Sequence, residues 1–233
     1  MNPFTSGVIM LRFALGSSFG AAPFVSSAIR LGLAVGLGIS NPGSIWQAGD
    51  EWKQAATALE VVKSRMVNAN AKVGPQWIAE DKDAYLNAVT VYNQEVEDLK
   101  KYLENVGTGL QTVAAAYYAF AVMAIVAGTF AFACAVAVGL AMATPAFPAV
   151  RAAAETAVSA VAMTAGAAAK TITAIAGGAT AILLAGVALS KAFQSQPGGV
   201  KGADFKVITI DYSPLTGGNG YVAPRRELPG PAK

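Results

Sequence analysis

Hydrophobic residues recur along the middle of the chain at the alternating spacing of four and three that is typical of packed helices. The pattern holds from 48 to 73 and again from 85 to 120, and Gly74-Pro75 stands between the two runs. Because that dipeptide ends a helix, the pattern predicts an antiparallel helical hairpin over residues 44–120. We expect its seam to pair with partner helices through Trp52, Leu59, Met66, Tyr85, Tyr92, Leu99 and Val106.

Polar residues mark where the two helices of this hairpin should begin. Ser44 followed by Gln47 predicts a capping box for the first helix. The second helix is predicted to start near Ala79, where acidic residues crowd the first turn and favour the positive end of the helix dipole. That dipole role explains the acidic cluster without any catalytic function.

The second helix then loses its charges, because residues 105–150 contain none. Residues 121–143 alone would span about 35 Å as a helix, which is enough to cross a bilayer core. If unbroken, the whole helix would hold about 60 residues and extend roughly 90 Å. A reversal at 144–148 predicts an apolar, Ala-rich helical hairpin over 121–193, with a membrane tip formed by Pro145, Phe147 and Pro148. The alternative is that this hairpin is buried in a larger soluble bundle.

The two ends of the chain differ from the middle. Residues 1–43 form an apolar, Gly-rich segment whose first cation is Arg12, unlike a secretory signal with its basic start. This segment predicts a helix or hairpin that ends at Asn41-Pro42-Gly43. Residues 194–233 read as a Gly/Pro-rich tail, in which 204–212 are β-prone and predict one strand.

Composition narrows the function. Only 13% of residues are charged, about half of what soluble domains carry, and 54% are apolar. Ten of the 14 acidic residues lie between Asp50 and Glu104, so this part is expected to face water. The net charge of +3 comes from scattered cations, which argues against nucleic-acid binding. Without histidine, and with Cys134 as the only cysteine, the sequence offers no catalytic triad based on histidine, no His/Cys zinc site and no disulfide within the chain. We expect no enzyme activity, catalytic residues, cofactor or metal.

Residues 44–120 form a pattern of a helix, a Gly-Pro-Gln-Trp turn and a second helix. This pattern resembles the WXG family of type VII secretion substrates of actinobacteria and their relatives. Trp77 stands in the turn and Ala84-Tyr85 follow it, although Ala79 replaces the glycine of the family motif. The family's export signal, Tyr followed four residues later by Asp or Glu, is missing. The apolar hairpin is similar in architecture to α-helical pore-forming toxins. These resemblances imply a bacterial protein that pairs with itself or a second helical protein, is cytoplasmic before export, and is then secreted or membrane-associated.

Together these features predict an all-α fold, an elongated bundle of long antiparallel helical hairpins with a short β-prone tail. The predicted function is a non-enzymatic helical protein that associates with partner helices and inserts into or binds membranes, as a pore-forming or type VII secretion-associated component. The alternative is a soluble scaffold protein that assembles through coiled-coil-like helices.

Overall fold

A computed structural model describes residues 3–73 and 81–195, and all regular secondary structure within these ranges is helical. This confirms the predicted all-α class. The turn that contains Trp77 and the tail with the predicted strand at 204–212 lie outside the described residues. The helices are a 3-10 turn at Pro3–Ser6, α1 at Gly7–Ala21, α2 at Ala28–Leu37, α3 at Pro42–Val73, α4 at Asp81–Ala141 and α5 at Phe147–Ser195.

Helix α4 is the long central helix against which α1, α3 and α5 pack, and we call it the spine. Its 61 residues run without a break, so at about 1.5 Å per residue it extends about 90 Å, the length expected for an unbroken helix. Helix α3 packs antiparallel to its first half, α1 packs on its second half, and α5 returns along it. The return extends far down the spine, since the Tyr102 hydroxyl lies 3.4 Å from the Leu183 carbonyl oxygen. The two predicted hairpins therefore share one helix.

Helix α3 begins earlier than the capping box predicted. The Asn41 side-chain oxygen accepts a hydrogen bond from the Ser44 backbone N–H at 3.2 Å, and the helix starts at Pro42. Asparagine is a preferred N-cap, and proline suits the first helical position because its missing N–H would have no partner there. Asn41 is thus the cap, and the assignment of that role to Ser44 was wrong.

The N-terminal helices α1 and α2 form a hairpin that docks on α4 and α5. Gly128 of α4 meets the α1 backbone so closely that a Cβ there would lie 2.8 Å from the Ala14 carbonyl oxygen. At the turn of the hairpin, the backbone N–H groups of Ser26 and Ser27 donate to the Glu155 carboxylate of α5 at 2.6 and 2.9 Å. The apolar N-terminal segment is therefore an integral part of the apolar bundle.

Two regions follow from this packing. We call "head" the bundle of α1, α2, residues 118–141 of α4 and residues 147–172 of α5. We call "stalk" the pair formed by α3 and residues 81–117 of α4, and the part of α5 beyond residue 172 lies beside this pair. Apolar side chains fill the head, and interhelical ion pairs lie along the stalk.

Candidate membrane-facing head and partner-binding stalk

Small residues fill the interior of the head. Thirteen of the 21 buried residues in its core cluster are alanines, contributed by all four helices. Leu11, Leu31, Phe120 and Ile172 are the only members larger than valine. Side chains this small let helix backbones approach closely, as in the interfaces of membrane helices.

Large apolar side chains cover the outside of the same helices. A soluble protein places most such residues in its core, and an extended exposed apolar patch marks a surface that contacts lipid or a partner. Here the pattern is reversed. In the head the most exposed are Ile9 at 72%, Phe13 at 57%, Leu33 at 59%, Leu37 at 84%, Val126 at 66%, Leu140 at 78% and Met163 at 70%, and Met142 in the turn after α4 is 61% exposed.

Two helices of the described ranges are long and apolar enough to cross a membrane, which weakly suggests membrane association. The core helix of a soluble protein passes the same test, but such a helix is mostly buried. In this structure only 39% of the apolar window in α4 and 28% of that in α5 are buried. Residues 118–141 of α4 extend about 36 Å, which slightly exceeds the roughly 30 Å of a hydrocarbon core.

Aromatic residues gather where the head meets the stalk. The Phe4 ring stacks on Trp46 with centroids 4.6 Å apart and meets Tyr118 edge-on at 5.1 Å. Tyr117 is half-buried against the adjoining apolar core. Tryptophan and tyrosine are enriched at membrane–water interfaces because their rings are apolar and their N–H or O–H groups are polar. This cluster would suit the boundary of a bilayer that surrounds the head.

The two stalk helices cross at a pair of glycines. A Cβ on Gly49 would lie 2.8 Å from the Gly107 carbonyl oxygen, and one on Gly107 would lie 2.7 Å from that of Gly49. Beside this crossing, Lys53 donates to the Gln111 side-chain oxygen and Gln111 donates to Asp50. Gly107 therefore serves as a small-residue contact between α3 and α4.

Ion pairs join the stalk helices farther from the head. Lys63 contacts Glu97 at 2.7 Å, and Lys100 contacts Glu60 at 2.6 Å. The hydrogen bond from Lys63, followed by its positive charge, lowers the pKa of the Glu97 carboxyl. These pairs are partly exposed and lie before the charge-free part of α4, so the stalk has the surface of a water-facing element.

The residues of the predicted partner seam differ in how far their side chains are buried. Val106 is buried, Leu59, Met66, Tyr85 and Tyr92 are half-buried, and Trp52 and Leu99 are 36% and 47% exposed.

The inward side of α3 includes half-buried Leu59 and Met66 of the predicted seam, but near the head it runs through Gly49, Lys53 and Ala56 instead of Trp52. The close glycine crossing brings these positions against α4, and the Lys53 stem can cover apolar surface while its ammonium group reaches water. Counting apolar residues alone could not have found these positions.

The predicted tip is also rearranged. Pro145 and Pro148 are exposed, but Phe147 is half-buried and packs against the head core instead of projecting from the tip. Helix α5 starts at Phe147, so this residue begins the inward-facing side of that helix. Leu140 and Met142 are the large apolar residues that stand exposed at this end.

Neither a family model, nor a curated protein, nor a solved structure matches this chain. The resemblances to WXG proteins and to pore-forming toxins therefore stay predictions. Within the described residues, no group of three or more His, Cys, Asp or Glu side chains could hold a metal ion.

Proposed function

We propose that this chain is a non-enzymatic helical protein whose head inserts into a membrane while its stalk remains in water and pairs with partner helices. The observation that supports insertion best is the reversed core of the head, with alanine inside and large apolar residues outside. Lipid accepts such a surface without further protein, and the aromatic cluster around Trp46 stands where the surface would leave the bilayer.

The size of the exposed apolar surface makes a free, water-soluble head unfavourable. Burying a large apolar side chain fully stabilises it by about 1.5–3 kcal/mol. The seven most exposed ones in the head are each at least 57% exposed, so covering them is worth on the order of 10 kcal/mol. That is comparable to the whole stability of a typical domain. We therefore expect lipid or other protein chains to cover the exposed apolar residues of the head.

The stalk is proposed to bind a second helical protein or another copy of this chain. Trp52, Val62 and Leu99 are among the exposed apolar residues of the stalk, and Trp52 and Leu99 belong to the predicted partner seam. In the arrangement implied by the WXG resemblance, a partner helix would cover them. This pairing is compatible with a head in the membrane, since the stalk lies beyond the aromatic cluster.

The test is flotation on liposomes after a high-salt wash, comparing two matched variants. Val126 in the head and Val67 in the stalk are 66% and 50% exposed, so Val126→Asp and Val67→Asp make the same change at two exposed valines. Val126 lies eight residues, or about 12 Å, beyond Tyr118, which places it near the centre of an embedded head. A carboxylate there costs at least about 2.5 kcal/mol, or roughly 60-fold in partitioning. We expect Val126→Asp to lose membrane binding and Val67→Asp to retain it.

The soluble scaffold makes the opposite prediction. If the exposed head residues are covered by other copies, the parent should form defined particles in detergent-free buffer and should not float with liposomes. Equal flotation of both variants would also contradict insertion, because it would mean that the head does not enter the hydrocarbon.

A further inference from the structure

One side of the head carries charged and hydroxyl side chains among apolar ones. An open cleft between α2 and α5 is lined by the polar residues Ser26, Ser27, Arg30, Glu155, Thr156 and Ser159 and by the apolar residues Ile29, Ala160 and Met163. On α4, by contrast, the outward positions include Val122, Val126, Val136 and Leu140, which are 41–78% exposed. We call these four residues the outer face.

The carboxylate of the one acidic residue that lines the cleft, Glu155, already has hydrogen-bond partners. Glu155 accepts hydrogen bonds from the backbone N–H groups of Ser26 and Ser27 and from the Ser26 hydroxyl. The nearby cations have no such partner: Arg30, Arg151 and Lys170 are exposed and form no ion pair within residues 3–73 and 81–195.

Two of these cations share one side of the bundle. Arg30 lines the cleft with Thr156 and Ser159. Lys170 lies three turns beyond Ser159, a separation that returns it to the same side of α5, whereas Arg151 lies about 100° around the helix from Lys170. Met163, which is 70% exposed, lies in the cleft with the polar residues. We call Arg30, Thr156, Ser159 and Lys170 the cationic face.

The depth of Arg30 decides what this face can contact. Gly38 packs on Phe120 near the stalk end of the head, and Arg30 lies eight residues, or about 12 Å, from it along α2. On the tip side, Glu155 lies eight residues, again about 12 Å, from Phe147. Arg30, one turn beyond Ser27, is therefore near the middle of an embedded head. Charged residues at this depth face a bundle interior or a water-filled cavity.

Arg12, the other arginine of the N-terminal hairpin, does not need a bundle interior or a water-filled cavity. It lies five residues, or about 7.5 Å, from Gly7, which is placed against Tyr118 at the stalk end of the head. A long arginine side chain at that depth can reach the interface. The requirement for water therefore comes from the cationic face.

We infer that several copies of this chain gather in the membrane with their cationic faces around a shared aqueous path, and that this path favours small inorganic anions. This inference rests on the proposed insertion of the head. The outer face meets lipid, the cationic face meets water, and rings of arginine and lysine select anions over cations.

Conductance across planar bilayers under a potassium chloride gradient tests the inference directly. The parent should conduct with an anion preference, and Arg30→Glu should move the reversal potential towards that of potassium. Arg65→Glu is the matched control, since Arg65 is an exposed arginine of the stalk. It should leave the reversal potential unchanged. A parent that prefers cations, or an Arg30→Glu variant with parental selectivity, would overturn the inference.

Labelling with a membrane-impermeant, charged thiol reagent supplies a readout that does not depend on conductance. Cys134→Ala removes the only cysteine, and Thr156→Cys or Val126→Cys then places a thiol on the cationic face or the outer face. In liposomes carrying the floated protein, the reagent should label Thr156→Cys, whereas Val126→Cys should require detergent. Equal labelling of both sites would refute the assignment of faces. If the parent protein does not float with liposomes, the proposed function itself is refuted. If it floats but shows neither conductance nor selective labelling, only the inferred aqueous path is refuted.

Discussion

Replacing Gly128 by alanine tests how tightly the N-terminal hairpin packs on the spine. The new Cβ would lie 2.8 Å from the Ala14 carbonyl oxygen and 2.9 Å from its Cα. Both are backbone atoms that cannot rotate away. Ordinary van der Waals contact begins at 3.4 Å, so α1 and α4 would have to separate by about 0.6 Å.

That separation is large enough to matter. A gap of 0.5–1 Å forfeits about a quarter to a half of the attraction of each contact, and overpacking a core costs about 1–3 kcal/mol. Alanine also gains up to about 1 kcal/mol over glycine in a helix. Gly166→Ala in α5 is the matched control, since a Cβ there meets nothing within 4 Å. The helix gain is common to both variants, so their difference of about 1–3 kcal/mol isolates the contact.

Thermal unfolding followed by circular dichroism in one detergent measures this difference. For a chain of this size, each kcal/mol corresponds to about 2–4 °C in Tm. Gly128→Ala should therefore melt about 2–12 °C below Gly166→Ala. If the two variants melt together, the hairpin does not pack on α4 as closely as described, and the reasoning is refuted.

Three further predictions concern the stalk. Gly49→Val should lower the Tm in the same assay, because its side chain would collide with the α4 backbone at the glycine crossing. Val96→Asp should unfold the stalk, since Val96 is only 7% exposed, whereas Leu99→Asp at 47% exposure should keep the helicity and weaken partner association, measured by circular dichroism and sedimentation. The lowered pKa of Glu97 means that its pair with Lys63 stabilises the stalk above the ordinary carboxyl pKa of 4.5 and is lost as the pH falls through the lowered value. Lys63→Gln should therefore weaken this part of the acid dependence, and an unchanged acid unfolding curve would contradict the role of the pair.

Much of the fold could be predicted because helix periodicity is local. The alternating apolar spacing and the lack of prolines between 76 and 144 predicted a helix close to the 61 residues of α4. The concentration of acidic residues before Glu104 predicted which half of that helix would carry ion pairs. Asn41 and Ser44 show the limit of such reasoning, since both are good caps and only the observed hydrogen bond decides between them.

The candidate surfaces could be predicted only in part. Sequence periodicity identified a stalk seam that includes half-buried Leu59 and Met66, but it also chose Trp52, which is exposed, and missed buried Gly49. It also assigned the membrane tip to Phe147, which the head core partly covers. In both cases the sequence identifies which residues are apolar, but the side that becomes buried depends on the neighbouring helix.

The sequence by itself determined the helical class, the long spine and the separation into a charged and an uncharged half, because these depend on residue types at regular intervals along one chain. Only the tertiary structure decided that residues 1–43 complete the head, that alanines face inward, and that Arg30 shares a cleft with Glu155 and Ser159. These features depend on which backbones can approach closely. That approach is set by glycines such as Gly49, Gly107 and Gly128, which carry no side chain and therefore contribute nothing to a hydrophobic pattern.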